Sequence, residues 1–225
     1  MEGSMKIKSA ATLLALPLLA ACSAQVESTI HLSDVQKVLA SGNSIATPAT
    51  LRIPQSNEDD CKSGLDALVE KLKTLTPIEG APSCVDINGD DYIEATTAIQ
   101  IATPTSKIPY ANLLALNVQP DNDGNIAMSL NVLRKVDSVV EKLTGDTSPT
   151  GLDPTKFIIR VDNDSGADVD ALPGEVLLDG KPHLAVDPPI TIGKGTRIEI
   201  GFNDVAVAYM EDGNSYQFIA AALPK

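Results

Sequence analysis

The sequence predicts an α+β fold, with an N-terminal mixed α+β unit at residues 29–145 followed by a small antiparallel β-sandwich at residues 155–225. In the first part, segments with helical spacing and segments with strand-like alternation follow one another without the regular order of a βαβ protein. The second part consists of short apolar runs separated by turn signals, which is typical of sandwiches. Residues 144–154 are rich in Thr, Gly, Asp and Pro, and this composition predicts a boundary between the two parts.

The first half of the α+β unit contains two predicted helices. A short strand at residues 29–32 precedes Ser33, whose hydroxyl can cap a helix that stops at Gly42. A second helix is expected at residues 63–75, where aliphatic residues recur at helical spacing. We expect this apolar stripe to belong to the core, and it consists of Leu65, Leu68, Val69, Leu72 and Leu75.

Strands dominate the rest of this unit. Residues 49–53 and residues 92–101 alternate between apolar and polar side chains, as half-buried strands do. The turn residues between Pro120 and Asn125 separate two apolar runs and indicate a hairpin. Its strands are expected at 113–118 and 126–132, and a helix over residues 130–143 should then end at Gly145.

The predicted sandwich contains six short strands. Asp-Gly pairs at residues 179–180 and 212–213 supply turns between them. Residues 203–210 also fit a helix, because their surroundings resemble the strand and capped helix near residue 30, but the second Asp-Gly pair favours a hairpin. The strands are expected at 157–161, 175–178, 190–192, 197–202, 205–210 and 215–221.

Residues 5–22 have the layout of an export signal. A short basic segment is followed by an apolar run at residues 10–21, which is shorter than the roughly 20 residues of a membrane-spanning helix. The run ends in Leu19-Ala20-Ala21-Cys22, which resembles the lipobox of bacterial lipoproteins. This resemblance implies that residues 1–21 are a signal peptide, that cleavage falls before Cys22, and that the Cys22 sulfur and the new amino group become acylated. Residues 1–4 fit no part of a signal and are interpreted as a cloning remnant or an early start codon.

The same resemblance implies a location. Three acyl chains would hold the protein stably at a membrane, with residues 22–28 as a lipidated tether. Ser23, the residue after the cysteine, resembles the class that is sorted to the bacterial outer membrane, so we expect the body in the periplasm or at the cell surface. Beyond residue 22 the layout resembles small uncharacterised lipoproteins of proteobacteria and their tailed phages.

The exported chain is strongly acidic. Removing Lys6, Lys8 and Glu2 from 17 basic and 30 acidic side chains leaves 15 and 29, a formal charge of -14. Such a surface repels nucleic acid and anionic lipid headgroups. We therefore expect no nucleic-acid partner, and attachment to a membrane through the acylated Cys22.

Two cysteines remain once Cys22 is acylated. Cys61 and Cys84 form an even pair in an exported chain, which predicts a disulfide in an oxidising compartment. Neither has a second Cys or His at zinc-ligand spacing or lies in a Cys-x-x-Cys motif. A structural bridge is therefore favoured over a reactive thiol pair.

Acidic turns supply the only candidate metal ligands. Asp86, Asn88 and Asp90 resemble the opening of the calcium loops of EF-hands and dockerins, although Asp91 stands at the usual glycine position and Thr97 at the closing acid. The alternative is that Asp, Asn and Gly are simply the preferred turn residues. Calcium is the one cofactor considered, and similar clusters lie at Asp121 and Asp123 and at Asp162, Asp164, Asp168 and Asp170.

No catalytic motif is present in the sequence. His31 and His183 are the only candidates for a base at neutral pH, and neither lies near a recognisable nucleophile. Residues 193–196, Gly-Lys-Gly-Thr, lack the glycine spacing of a phosphate-binding loop. We therefore expect no enzyme, although a carboxylate pair assembled by the fold would not be visible in the sequence.

These observations favour a non-enzymatic, lipid-anchored envelope lipoprotein that acts as an interaction module on another envelope protein. Its resemblance to phage lipoproteins allows a sharper version, in which the protein is phage-derived and occludes an outer-membrane receptor. Two alternatives stay open: a lipoprotein that binds a small ligand or lipid in an apolar cavity, and a hydrolase that uses buried carboxylates.

Overall fold

The computed structural model describes residues 24–74, 76–108, 113–133 and 156–224. The predicted signal peptide, Cys22 and the boundary at 144–154 lie outside these residues. So do Gly145 and most of the helix predicted over 130–143. Residues 130–132 of that prediction belong to a strand instead, because they pair with the preceding strand of a hairpin.

The described residues form three helices and thirteen strands. The helices are α1 (Leu32–Ser41), α2 (Glu58–Lys73) and α3 (Asp204–Glu211). The first seven strands are β1 (Gln25–His31), β2 (Ile45–Gln55), β3 (Glu79–Ile87), β4 (Asp90–Ala102), β5 (Leu114–Pro120), β6 (Ile126–Val132) and β7 (Lys156–Asp162). The last six are β8 (Val169–Pro173), β9 (Val176–Leu178), β10 (Lys181–His183), β11 (Ile190–Ile192), β12 (Arg197–Gly201) and β13 (Ser215–Ala221).

All thirteen strands belong to one mixed sheet, in the order β10-β9-β12-β7-β1-β2-β4-β5-β6-β13-β8-β11, with β3 also paired to β4. The pairs β1–β7 and β4–β5 are parallel, and β1 and β2 pair antiparallel. Strand β8 leads directly into β9, although the two lie near opposite ends of this order. A two-residue connection can join them only because the sheet curls back on itself.

Asn163 helps to close the curled sheet. Its side chain is fully buried, and Nδ2 donates to the carbonyl oxygens of Ala167 at 2.8 Å and Ile192 at 2.7 Å. Its backbone N–H donates to Thr196 O at 2.9 Å. Asn163 thus joins the loop after β7 to the end of β11 through its side chain, and to the connection between β11 and β12 through its backbone.

The fold is mostly β, with one curled mixed sheet and three helices in the described residues, which is in keeping with the α+β class. The predicted C-terminal sandwich is not confirmed, because the C-terminal strands do not form a sheet of their own. β7 pairs in parallel with β1 along all of Gln25–His31, and β13 pairs with β6. Buried side chains from both predicted parts, Ile30 and Phe218 among them, pack in a single hydrophobic cluster. Pairings between residues remote in sequence therefore join described strands of both predicted units in one sheet, and the division into two domains stays a prediction.

The N-terminal elements differ from their predictions at their starts. β1 begins at Gln25, so most of the tether predicted at 22–28 is strand. α1 begins at Leu32, and Ser33 lies inside its first turn instead of capping it. The predicted end is confirmed: Gly42 adopts φ +69°, and its N–H donates to Val38 O at 2.8 Å.

The predicted strand at 205–210 is wrong, and its helical alternative is correct. Asn203 Oδ1 accepts from the N–H of Ala206 at 2.9 Å and caps α3. The helix then buries Ala206, Val207 and Met210 on one face. The Asp-Gly pair at 212–213 ends this helix and does not join two strands.

The predicted disulfide between Cys61 and Cys84 is present. It joins the first turn of α2 to β3, a strand that was not predicted and that contains Pro82. The helix begins earlier than predicted because Asn57 Oδ1 accepts from the N–H of Asp60 at 2.8 Å. Of the predicted stripe, Leu68 and Leu72 are buried.

The remaining strand predictions are largely confirmed, including the hairpin of β5 and β6 and the turn at Asp179-Gly180 between β9 and β10. β8 and β10 were not predicted. Among the described residues, no helix combines the length and apolar character needed to cross a bilayer.

Candidate functional site

A groove opens where β1 and β2 separate. The two strands pair only between residues 25–28 and residues 49–52, after which β1 stays with β7 and β2 with β4. Pro48 lies at the point of separation. Its carbonyl accepts from Ser28 Oγ at 2.7 Å, so its backbone faces β1, where proline has no N–H to continue the ladder.

Two buried hydroxyl groups close the floor of the groove. Besides the Ser28 bond, Thr47 Oγ1 donates to Thr29 O at 3.0 Å. The groove has a volume of about 360 Å³ and is open to solvent. Its lining is mostly polar and consists of Glu27, Ser28, Thr29, His31, Asp34, Ala46, Thr47, Pro48, Thr50 and Arg160.

A row of alternating charges crosses five strands beside the groove. We call it the charge ladder, and it consists of Glu199, Arg160, Glu27, Arg52 and Glu94. Glu27 lies at its centre, with Oε1 at 2.8 Å from Arg52 Nη1 and Oε2 at 3.1 Å from Arg160 Nη1. Arg52 Nε is 2.8 Å from Glu94 Oε2, and Arg160 Nη2 is 3.1 Å from Glu199 Oε2.

The ladder keeps both arginines charged in a partly desolvated position. Burial alone would lower the pKa of Arg52, but hydrogen bonds and charge from Glu94 and Glu27 outweigh burial and raise it. The pKa of Arg160 is raised in the same way, against burial, by Glu27 and Glu199. Glu27 is the only ladder member that contacts both arginines, so the two guanidinium groups depend on it.

Asp164 caps α1 from a distant part of the chain. Its Oδ1 accepts from the Ser33 N–H at 2.8 Å and its Oδ2 from Ser33 Oγ at 2.7 Å. His31 Nδ1 lies 3.7 Å from Asp164 Oδ2 and 3.9 Å from Asp162 Oδ2. Burial would raise the pKa of Asp164, but the Ser33 hydrogen bonds and His31 outweigh burial and hold it below its usual value.

We expect Asp164→Ala to lower the free energy of unfolding by about 1 kcal/mol, the usual cost of losing a helix cap. Because the pKa of Asp164 is lowered in the folded state, its stabilisation is present at neutral pH and is lost as the pH falls through the folded-state pKa. Urea unfolding at neutral and acidic pH measures this. Asp164→Asn is the matched control, since it keeps one acceptor for Ser33 and loses the charge. A wild-type advantage over the alanine variant that grows in acid would contradict the assignment.

Asn88 lies in the two-residue turn between β3 and β4, while Asp86 lies near the end of β3 and Asp90 begins β4. Asn88 and Gly89 have φ of +59° and +92°, as the two central residues of a type I′ hairpin require. Asp86 Oδ1 accepts from the Gly89 N–H at 3.2 Å. Within the described ranges, no group of three or more His, Cys, Asp or Glu side chains is placed to hold a metal ion. Calcium binding by these residues stays a prediction.

The other acidic clusters hold loops and strand ends in place. Asp121 Oδ1 accepts from two backbone N–H groups of its own hairpin turn. Asp162 pairs with Arg197 at 2.9 Å. Asp168 accepts from the Lys194 N–H at 2.7 Å, and Asp170 accepts from Thr191 Oγ1 at 2.8 Å. Asp123 contributes its backbone N–H to the Asp121 turn.

The two histidines are far apart in the sheet order and do not share a site. His31 lines the groove, whereas His183 ends β10 at one end of the sheet order. His183 Nδ1 lies 3.4 Å from Gly174 O, and its buried Nε2 has no hydrogen-bond partner in the described part of the chain. The residues 193–196 form the connection between β11 and β12.

Glu27, Arg160, Arg52 and the groove hydroxyls were not predicted as site residues. The local signal was the alternation in Gln25–His31, which marks a strand with Glu27 and His31 on its outer face. The partners of Glu27 cannot be found in this way, because Arg160 lies 133 residues away in the chain. The groove offers hydroxyl, carboxylate, imidazole and guanidinium groups for hydrogen bonding, on a surface shaped by the proline break.

A protein-family model described as "Domain of unknown function (DUF7424)" matches residues 24–225. Searches of the curated proteins and of the solved structures each found no match. The matched range begins at the first described residue and includes both parts that were predicted as separate domains. The match spans most of the sequence, and the chain therefore belongs to the DUF7424 family.

Proposed function

We propose that this protein is a lipid-anchored lipoprotein of the bacterial outer membrane and acts as a non-enzymatic interaction module. The observation that carries the proposal is Leu19-Ala20-Ala21-Cys22 after a basic and apolar leader. The position of the folded body supports it, because β1 begins only three residues after Cys22 and the family match begins at residue 24. The disulfide is in keeping with an oxidising compartment.

The side chains of the groove support the binding of a partner more than they support hydrolysis. Its two carboxylates are held in ion pairs: Glu27 with two arginines, and Asp34 Oδ1 with Lys37 Nζ at 2.7 Å. The buried hydroxyls of Ser28 and Thr47 donate to backbone carbonyls and not to a base. A polar surface held in place in this way supports the proposed binding of an envelope protein.

We expect the wild-type chain, expressed at full length in a Gram-negative bacterium, to be recovered in the outer-membrane fraction. Cys22→Ser removes the sulfur that receives the diacylglycerol, so this variant should leave that fraction. Immunoblotting of separated membranes and periplasm measures the distribution. Ser23→Ala is the matched control and should stay with the wild type. An unchanged distribution of the Cys22→Ser protein would contradict the anchor.

In the sharper form of the proposal, the protein is phage-derived and occludes an outer-membrane receptor. Expression in a sensitive host should then reduce the adsorption of at least one phage that uses an outer-membrane protein as its receptor. Counting free phage after mixing with cells measures adsorption. Cells that produce the Cys22→Ser protein should adsorb normally. Unchanged adsorption across a broad panel would contradict this form while leaving the lipid anchor intact.

A second candidate is a lipoprotein that binds a small polar ligand, which is favoured by the size of the groove. Ligand pockets commonly measure about 300–1,000 Å³, and this groove has about 360 Å³. It is polar, unlike the apolar cavity expected from the sequence. Thr50 lines the groove, so Thr50→Arg should fill it with a large side chain. A compound that raises the melting temperature of the wild type but not of this variant would favour this candidate.

A further inference from the structure

The rim of the curled sheet at which β1 begins can be followed across five strands. Gln25 pairs with Lys156 at the start of β7, and Gly201 at the end of β12 pairs with Ile158 near that start. Gly201 also pairs with Leu177 in β9, and Val176 beside it pairs with His183, the last residue of β10. We call this edge the anchor rim. The segments that follow β12 and β10, namely α3 and the turn at 184–187, therefore start at the anchor rim.

These two segments carry an exposed apolar surface. Val186 is 88% exposed at the tip of the turn, and Val205 is 80% exposed in the first turn of α3. Leu184 and Tyr209 are about half exposed, and Tyr209 lies one helical turn after Val205 on the same face. Together they are four of the six large apolar side chains that are exposed in the described residues. Exposed apolar side chains are thus concentrated on two segments of one rim, which points to an interaction surface.

The turn at 184–187 holds its apolar tip in a fixed position. Asp187 Oδ2 accepts from the Leu184 N–H at 2.8 Å, and the Asp187 N–H donates to Leu184 O at 2.9 Å. Turn tips are ordinarily occupied by Gly, Asn, Asp, Ser or Pro. Here the two residues at the tip are Ala185 and Val186, so the carboxylate stabilises a turn whose exposed end is apolar.

The short connection to Cys22 places the anchor rim close to any lipid attached there. Ala24 is only 4% exposed, and its carbonyl accepts from the Lys156 N–H at 2.8 Å, so it already belongs to the folded body. Ser23 is the only residue between Ala24 and Cys22. Two residues of extended chain span at most about 7 Å, which is within the depth of about 5–10 Å at which interfacial apolar groups are buried in a bilayer.

We propose that the anchor rim lies in the membrane interface, with Leu184, Val186, Val205 and Tyr209 among the lipid headgroups. The inference rests on the proposed acylation of Cys22. Tyrosine suits this depth because its ring is apolar and its hydroxyl polar. The carboxylates of Asp187 and Asp204 flank the apolar side chains, so the surface fits zwitterionic lipid and not an anionic bilayer. The groove, which opens toward the end of β1 at His31, then faces away from the membrane.

The test uses the acylated full-length mature protein, reconstituted into vesicles of phosphatidylethanolamine and phosphatidylcholine. Val186→Cys and Val205→Cys variants carry a polarity-sensitive fluorophore, and the control label is at Asn122→Cys in the turn between β5 and β6, which lies at the opposite rim. Spin-labelled lipids in the headgroup region should quench the labels at 186 and 205 several-fold more than the label at 122. Replacing part of the lipid by phosphatidylglycerol should reduce this difference.

The mass of each labelled protein is measured first, which separates the two proposals. A protein without acyl chains shows that the proposed anchor is wrong. An acylated, vesicle-bound protein whose three labels are quenched equally shows that the anchor is correct and the inference about the rim is wrong. Labels at 186 and 205 that become shielded in detergent as the protein concentration rises would assign the apolar surface to a second copy of the chain, and would also overturn the inference.

Discussion

Replacing Glu27 by glutamine is expected to lower the free energy of unfolding by about 3 kcal/mol, the lower end of the cost of breaking a buried ion pair. Glu27 is only 16% exposed and separates Arg52 and Arg160, whose side chains are 17% and 30% exposed. Glutamine keeps the shape of the side chain but not its charge. The two guanidinium groups would then lie on either side of a neutral amide, with one glutamate left to each.

The matched control for Glu27 is Glu199→Gln at the end of the charge ladder. Glu199 is 43% exposed and contacts only Arg160 among the ladder members, so its loss should cost less than about 1 kcal/mol. Urea unfolding measures the difference between the two variants in their free energy of unfolding, provided that this energy falls with urea concentration at the same slope in both. If both variants lose the same free energy of unfolding, the position of Glu27 between the two arginines adds nothing to stability.

Replacing Cys61 and Cys84 together by alanine is expected to cost about 3 kcal/mol, because the disulfide restricts the unfolded chain. The two cysteines are 23 residues apart, and their bond joins α2 to β3, the strand that flanks β4. Cys61 is completely buried, so alanine at this position also removes packing.

Reductant provides the control for the disulfide. In urea unfolding, a reducing agent should destabilise the wild type, but by less than the double substitution, which also removes packing at Cys61. The same agent should leave the Cys61→Ala/Cys84→Ala protein unchanged. If the reduced and oxidised wild type unfold at the same urea concentration, the bridge contributes nothing to stability.

Local signals in the sequence predicted local structure well. Gly42 ends α1, Asp179-Gly180 forms a hairpin turn, and the turn residues after Pro120 join β5 to β6, each within a few residues of its prediction. The disulfide was predictable because only two cysteines remained to pair. For residues 203–210 the strand was wrongly favoured over the helix, because an Asp-Gly pair such as 212–213 can follow a helix as well as join two strands.

Long-range pairing could not be predicted from the same signals. The parallel contact between β1 and β7 joins residues 131 positions apart, and it is this contact that joins strands of the two predicted units. Strand alternation indicates which side chains face the core, but it does not identify the neighbouring strand. The charge ladder and the cap that Asp164 provides for α1 depend on these pairings, so neither could be assigned. The groove depends on Pro48. This residue lies where β1 and β2 separate, and that position can be recognised only once the two strands are known to be neighbours.

The most direct test of a lipid-anchored body is the intact mass of the protein purified from bacterial membranes after expression of the full-length gene. We predict a chain that begins at Cys22 and carries the mass of a diacylglyceryl group together with one further acyl chain. A chain that keeps its leader, or one that begins at Cys22 with no added mass, would contradict the anchor and the orientation inferred from it.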